Sequence, residues 1–258
     1  MKIKIPSLVE MLQAGVHFGH QVSRWHPKMK PFIFTERNGV HIINLEETRS
    51  RLESVLETVR QMAADGKLIL FVTTKPQAKA IVKAAAIDCG MPYLVERWVG
   101  GLLTNFSEIR KLLKKYISLK EQQANGELER YTKKEQLEIG KELEKMDGTL
   151  GGLVALQRLP DALFVPAVQR EKTAMTEANS THVPVIGVCD TNANPDKVEY
   201  VIPANDDAVN AITMIVGLVA EAVKEGRSEW EKKQGELKKA EVKKVEPVKK
   251  PELVADAS

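Results

Sequence analysis

Two runs of apolar residues in steps of four and three limit what this chain can fold into more than any other feature. One lies at Leu102, Phe106, Ile109, Leu113 and Tyr116, the other at Ile139, Leu143, Met146, Leu150 and Leu153. Each is a heptad seam, the stripe along which one helix packs lengthwise on another. Asn105 with Glu108, and Thr132 with Glu135, supply an N-cap and an N3 carboxylate for each helix, and Asn125-Gly126 marks the turn between them. A helix of about twenty residues is marginal alone, so the seams are expected to pair as an antiparallel coiled-coil hairpin over 105–150. Gly100-Gly101 and Gly151-Gly152 are its hinges, and the seam turns polar at Lys120 and Gln123, so the tip should fray first.

On either side of the insertion the pattern is different. The run 67–72, Lys-Leu-Ile-Leu-Phe-Val, is apolar after its lysine, as a strand buried on both faces of a parallel sheet must be. Shorter runs at 91–95, 162–165, 184–189 and 201–202 alternate with helical segments at 45–64, 76–89, 169–180 and 207–225. This alternation implies an α/β fold, a Rossmann-like or flavodoxin-like three-layer domain with a mostly parallel sheet, right-handed crossovers and helices on both faces. With 258 residues and 43% apolar positions, one such domain over 1–104 and 151–226 fits better than two. Beyond Arg227 apolar residues thin out and nine Lys/Arg face seven acids, so 227–258 is expected to be a disordered charged tail.

The net charge of +3 says little, but its distribution says more: 1–38 carry six Lys/Arg against two acids, and 97–120 carry six against one. Two basic segments in a nearly balanced chain suggest a polyanionic partner. The first contains 17–31, which mixes imidazoles, aromatics, cations, Pro27 and Pro31 without a strand or helix period and is expected to be an ordered loop or arm. It leads into a hairpin with Asn38-Gly39 at its turn. Arg24, Lys28, Lys30 and Arg37 can neutralise phosphates, while Phe18, Trp25 and His26 offer flat faces to unstacked bases. With His20, Arg97 and the hairpin cations Arg110, Lys111, Lys114 and Lys115 they form the candidate RNA-binding set. The same aromatics would serve equally to cover a sheet edge, with the cations merely solvated; Trp98 fits a packing role better, and Arg97 a partnership with phosphate or carboxylate.

No Gly-x-Gly-x-x-Gly, phosphate-binding P-loop or Gly-x-Ser-x-Gly elbow occurs. Cys89 and Cys189 lack metal or redox spacing and read as small buried residues of a reducing cytosol. No apolar run suits a membrane span or export signal, so the chain is expected to be soluble and cytoplasmic. The best candidate for a site is acidic: Asp190 ends an apolar strand, and Asp206 and Asp207 open the next helix, so with His20 they could hold a divalent cation, magnesium or zinc. The competing reading is that Asp190 and Asn205 cap turns and helices, as Asx residues commonly do. A metal-dependent α/β enzyme using Asp190, Asp206 and Asp207 is therefore the alternative to a nucleic-acid-binding protein, and an adaptor that binds protein through its hairpin is a third. His17, His20 and His26 match no usual ligand spacing.

Taken in order, Gly15-Val16-His17-Phe18-Gly19-His20, 25–31 (Trp-His-Pro-Lys-Met-Lys-Pro), 34–39 (Phe-Thr-Glu-Arg-Asn-Gly), 97–106 (Arg-Trp-Val-Gly-Gly-Leu-Leu-Thr-Asn-Phe), Leu159-Pro160-Asp161, Asp190-Thr191-Asn192 and 202–208 (Ile-Pro-Ala-Asn-Asp-Asp-Ala) resemble the signatures of the bacterial small-subunit ribosomal protein S2 family over about residues 7–226. The resemblance implies an α/β domain with a protruding coiled-coil hairpin, bound to small-subunit (16S) ribosomal RNA of the 30S particle between head and body. It also implies neighbouring small-subunit proteins, including ribosomal protein S1, which docks nearby. It implies a structural role without catalysis, required cofactor, membrane or small-molecule substrate. Two positions depart from the family pattern: Pro166-Ala167-Val168 stands where an acidic residue is usual, and Ala204 where glycine is usual, so a positive φ is not expected there.

Overall fold

The computed structural model describes residues 3–244. The first helix, α1 (Leu8–Gln13), is closed by reciprocal bonds between Ser7 and Glu10. The segment expected to be an irregular arm is more regular than its sequence suggests. Phe18–Gln21 is a strand, β1, and with β2 (Ile33–Arg37) and β3 (Val40–Ile43) it forms an antiparallel sheet in the order β1-β3-β2. Only Phe18 in β1 is large and apolar, and no alternation announces it. Its glycine is a tertiary requirement: a Cβ on Gly19 would lie 2.6 Å from the Thr191 side chain and 2.9 Å from the His41 carbonyl. Asn38 and Gly39 both adopt positive φ, 54° and 73°, as the two-residue turn demands. The rest of the arm forms two short 3-10 turns, Val22–Arg24 and Pro27–Phe32, whose Met29 and Phe32 are buried.

The main domain follows. Asn44 caps α2 (Leu45–Ala64), and β4 (Ile69–Val72), α3 (Pro76–Cys89) and β5 (Tyr93–Leu94) succeed it. The insertion comprises α4 (Phe106–Ala124) and α5 (Lys133–Leu150). Then come β6 (Ala162–Val165), α6 (Lys172–Ser180), β7 (Val185–Cys189), β8 (Tyr200–Pro203) and α7 (Val209–Lys244). Every pairing in the five-stranded sheet is parallel, in the order β5-β4-β6-β7-β8. Among these five the first strand therefore lies between the second and third, the flavodoxin-like order, and the chain reverses direction between β4 and β6.

Alternate side chains of each strand enter opposite cores. Ile69, Phe71, Ala162, Phe164, Ile186 and Val188 face α2, α3 and α7, whereas Leu70, Val72, Leu163, Val165, Val185 and Cys189 face a second core. Each of the larger buried side chains contributes about 1.5–3 kcal/mol. The second core is covered by α6 together with the foot of the hairpin and the arm's Met29 and Phe32. Arm and hairpin thus lie on the same side of the sheet. Ala204 does not adopt a positive φ.

All ten seam residues belong to that second core, with Ile109, Leu113, Tyr116, Leu143 and Leu150 buried among them. Lys115 pairs with Glu142 at 2.7 Å, and Lys120 with Asp147 at 2.8 Å, across the two helices. Thr132 and Glu135 form the expected capping box, but the Asn105 side chain makes no cap bond and instead accepts from the Ser107 hydroxyl at 3.2 Å. The return hinge needs its second glycine for space, since a Cβ on Gly152 would lie 2.2 Å from the Tyr93 carbonyl.

The expectation of disorder from Arg227 is corrected for the described part of that tail: α7 continues to Lys244. Arg227 donates to the carbonyls of Cys89 and Gly90 at 3.0 and 2.7 Å, and Arg60 grips Glu229 at 2.7 and 2.8 Å. Lack of apolar residues forbids a core, not a helix, because Glu, Lys, Gln and Ala are good helix formers. The remainder, 245–258, lies outside the described residues.

Candidate functional site

The arm meets the domain at the carboxyl ends of β7 and β8. Thr191 is the clamp: its hydroxyl accepts from the His20 backbone N–H at 2.8 Å, and its carbonyl accepts from the His26 N–H at 2.7 Å. Asn205 holds the other side, its side-chain amide donating to the Gly15 carbonyl at 3.0 Å while its Oδ1 caps the N–H groups of Asp207 and Ala208. The cap reading of Asn205 therefore holds.

Strand ends then bring four sequence-selected side chains together. His20 Nδ1 lies 3.0 Å from Asp190 Oδ2, and its Nε2 lies 3.3 Å from Asp207 Oδ2. Ligand atoms of His20, Asp190, Asp206 and Asp207 all fall within 4.8 Å of one another. The fifth member was missed in the sequence. Lys75, leaving β4, reaches Asp206 at 2.9 Å and Asp207 at 2.6 Å, and donates also to the Asp206 carbonyl. A lone lysine before Pro76 carries no local signal for this.

Electrostatics divide the cluster. Burial pushes the Asp206 carboxyl up to about 6, with the Asp190 charge adding and Lys75 opposing. Burial acts in the same sense on Asp207, but the Lys75 hydrogen bond and charge outweigh it and hold that carboxyl below its usual range. For Lys75 burial favours the neutral form, yet Asp206 and Asp207 prevail and its pKa is raised. The hydrogen bond to Asp190 raises His20, burial opposes, and the aspartate charges add.

At the foot of the hairpin the arrangement is of another kind. Glu177 of α6, buried, accepts from Trp98 Nε1 at 2.9 Å and from the backbone N–H groups of Gly101, Leu103 and Thr104 at 2.9, 3.1 and 3.4 Å. Burial favours its neutral form, but these donors outweigh burial and hold the carboxyl below the usual range. The glycine loop at 100–104 looks like a phosphate cradle, and the chain's own carboxylate sits in it. Nothing in the local sequence of α6 marks Glu177 for this role, because its partners lie more than seventy residues earlier. Trp98 is accordingly a packed and bonded residue, and Arg97 beside it is exposed.

The candidate RNA-binding set divides likewise. Arg24, Lys30, Arg37, Arg97, Arg110 and Lys114 are exposed and, among the described residues, make no ion pair. Lys28 pairs with Asp196, Lys111 with Glu108 at 2.7 Å and Lys115 with Glu142. Phe18 is 51% exposed and lies 4.0 Å from the His17 ring. Trp25 is half-buried and tilted against His41 at 5.2 Å, so it has at most one free face. His26 turns its Nδ1 to the Lys28 N–H at 3.3 Å, and His20 is taken up by the aspartates. The three arm histidines do not converge.

Residues 11–226 match the family model described as ribosomal protein S2. The chain is also 47% identical over 220 residues to the small ribosomal subunit protein uS2 of Parabacteroides distasonis, a match covering 85% of this chain and 79% of that protein.

Proposed function

The chain belongs to the ribosomal protein S2 family, and from that premise we propose that it is held on small-subunit ribosomal RNA by the arm and the foot of the hairpin. As a family of structural small-subunit proteins rather than enzymes, it places the chain in translation, in association with ribosomal RNA and other ribosomal proteins. Catalysis by Asp190, Asp206 and Asp207 is accordingly set aside. Among the described residues no helix is long and apolar enough to cross a membrane.

The observation that carries the proposal is the set of exposed cations without ion-pair partners among the described residues, Arg24, Lys30, Arg37, Arg97, Arg110 and Lys114, all but Arg24 on segments that contribute to one core on one side of the sheet. Such cations neutralise phosphates and fix register, and the half-exposed Phe18 offers a face for stacking. Docking of ribosomal protein S1, implied by the resemblance, belongs to the same proposal; the exposed outer faces of α4 and α5 are available for it. Replacing Arg24, Lys28 and Lys30 together by Ala should weaken incorporation into particles and reduce the log-log salt slope of binding by roughly 0.7–0.9 for each phosphate left unneutralised, with unchanged thermal stability. Normal incorporation at raised salt would remove the arm from the interface.

A second reading concerns His20, Asp190, Asp206 and Asp207, whose clustered ligand atoms support a divalent cation, magnesium or zinc, at the arm's foot. The Lys75 ammonium is its built-in competitor.

A further inference from the structure

We propose that the cleft at the switch point of the parallel sheet seats one ribose-phosphate unit, an inference that rests on the RNA-binding reading and names its chemistry. The cleft has a volume of about 570 Å³ and draws its lining from the loops after β4, β6, β7 and β8. Strands β4 and β6 are adjacent, and it is at such a reversal that sheets of this order bind ligands.

Two observations specify the ligand. Arg170 and Lys172 line the cleft, are exposed, and among the described residues have no side-chain partner. The intervening Glu171 is buried and accepts from the Thr74 N–H and hydroxyl at 2.5 and 2.8 Å, so the turn that commits Glu171 inward fixes its two neighbours at the rim. They offer charge to an anion. The second observation is the opposite need: Asn192, also in the lining, has a buried Oδ1 with no hydrogen-bond partner. A buried acceptor calls for a donor. A fully ionised inorganic anion such as sulfate would meet the cations and leave that acceptor unmet, whereas a ribose-phosphate supplies oxygens to Arg170 and Lys172 and a hydroxyl to Asn192. The 2′-hydroxyl is the group by which protein distinguishes RNA from DNA.

The unit could arrive as a nucleotide of the RNA chain or as a free ribonucleotide. Titrating the full chain with adenosine 5′-monophosphate, its 2′-deoxy analogue and sulfate, read by amide NMR at Asn192 and Arg170, tests the seat itself. Expected are shifts at both residues and roughly fivefold tighter binding of the ribonucleotide than of the deoxy form. Equal binding of all three, or no shift at these residues, would overturn the proposal. Asn192→Ala should abolish the preference without loss of stability, since it removes an unpaired acceptor; lower stability with the preference intact would overturn the role of Asn192. A double variant, Arg170→Ala with Lys172→Ala, bound to protein-free small-subunit ribosomal RNA separates the sources. A salt slope reduced by roughly 0.7–0.9, the share of one phosphate, supports a nucleotide of the RNA, and an unchanged slope, beside mononucleotide binding by the unsubstituted chain, assigns the seat to a free ribonucleotide. Should the arm variant weaken RNA binding while the cleft variant and the mononucleotides show nothing, the cleft inference falls and the arm reading stands.

Discussion

At the foot of the hairpin one carboxylate, Glu177, meets only neutral donors; at the foot of the arm three carboxylates meet one ammonium and one imidazole. Both junctions anchor an appendage to the carboxyl edge of the same sheet, yet they differ in what holds their charge. Indole and backbone N–H groups cannot titrate, so Glu177 remains an anion over the whole neutral range. Asp190, Asp206 and Asp207 depend on partners that can exchange protons or be replaced by another cation. The hairpin junction is held by groups that do not titrate, whereas the arm junction adds to the neutral bonds of Thr191 and Asn205 a cluster that responds to pH and ions.

The largest test of this contrast is Glu177→Ala. It strands four N–H donors, three of them backbone, and should cost about 3–5 kcal/mol, read by urea denaturation, with hydrogen exchange accelerated first over 98–104. A loss under about 1 kcal/mol would mean that water replaces the carboxylate. Next is Lys75→Met, which leaves Asp206 and Asp207 without their ammonium and should cost roughly 3 kcal/mol. Zinc or magnesium should then restore up to about 2.7 kcal/mol at a hundredfold excess over Kd, and absence of any such rescue would eliminate the cation reading.

The pH dependence is smaller. Folded His20 and Asp206 both hold protons more tightly than in the unfolded chain. Their stabilising contribution is complete below the unfolded values of 6.5 and 3.8 and is lost as pH rises through the folded ones, about 6 for Asp206 and above 6.5 for His20. In EDTA, stability should decline between pH 5 and 7.5 by on the order of 1–3 kcal/mol, and His20→Gln or Asp206→Asn should flatten the decline. Asp207 and Glu177, both lowered, contribute above their unfolded values of 3.8 and 4.5 and lose that contribution only on further acidification. Stability that rises with pH in the neutral window would break the comparison. The smallest effect distinguishes the two hairpin caps: Thr132→Ala should cost about 1 kcal/mol, and Asn105→Ala below about 0.5, since only Thr132 caps its helix. Equal melting shifts would contradict this difference.

Periodicity located the seams and α2, which repeat a signal every three to four residues, and unbroken apolar runs located the five strands of the parallel sheet. It could not find β1, where one large side chain and a glycine carry no alternation, and it mistook a solvated helix in α7 for disorder because composition reports burial rather than helix formation. Of the site, the residue types and the convergence of Asp190, Asp206 and Asp207 were legible, the latter because turns at strand ends share one edge of a parallel sheet; His20 joins them from β1 of the antiparallel sheet.

By itself the sequence determined the fold class and the two basic segments, which follow from local spacing and charge. Only the tertiary structure decided which cations are free, that Trp25 is half covered, and that Lys75 and Glu177 hold the two junctions. Hydrogen bonds and ion pairs at the two junctions join residues 73, 131 and 190 positions apart. Their partners are chosen by strand order and packing, which no local pattern encodes.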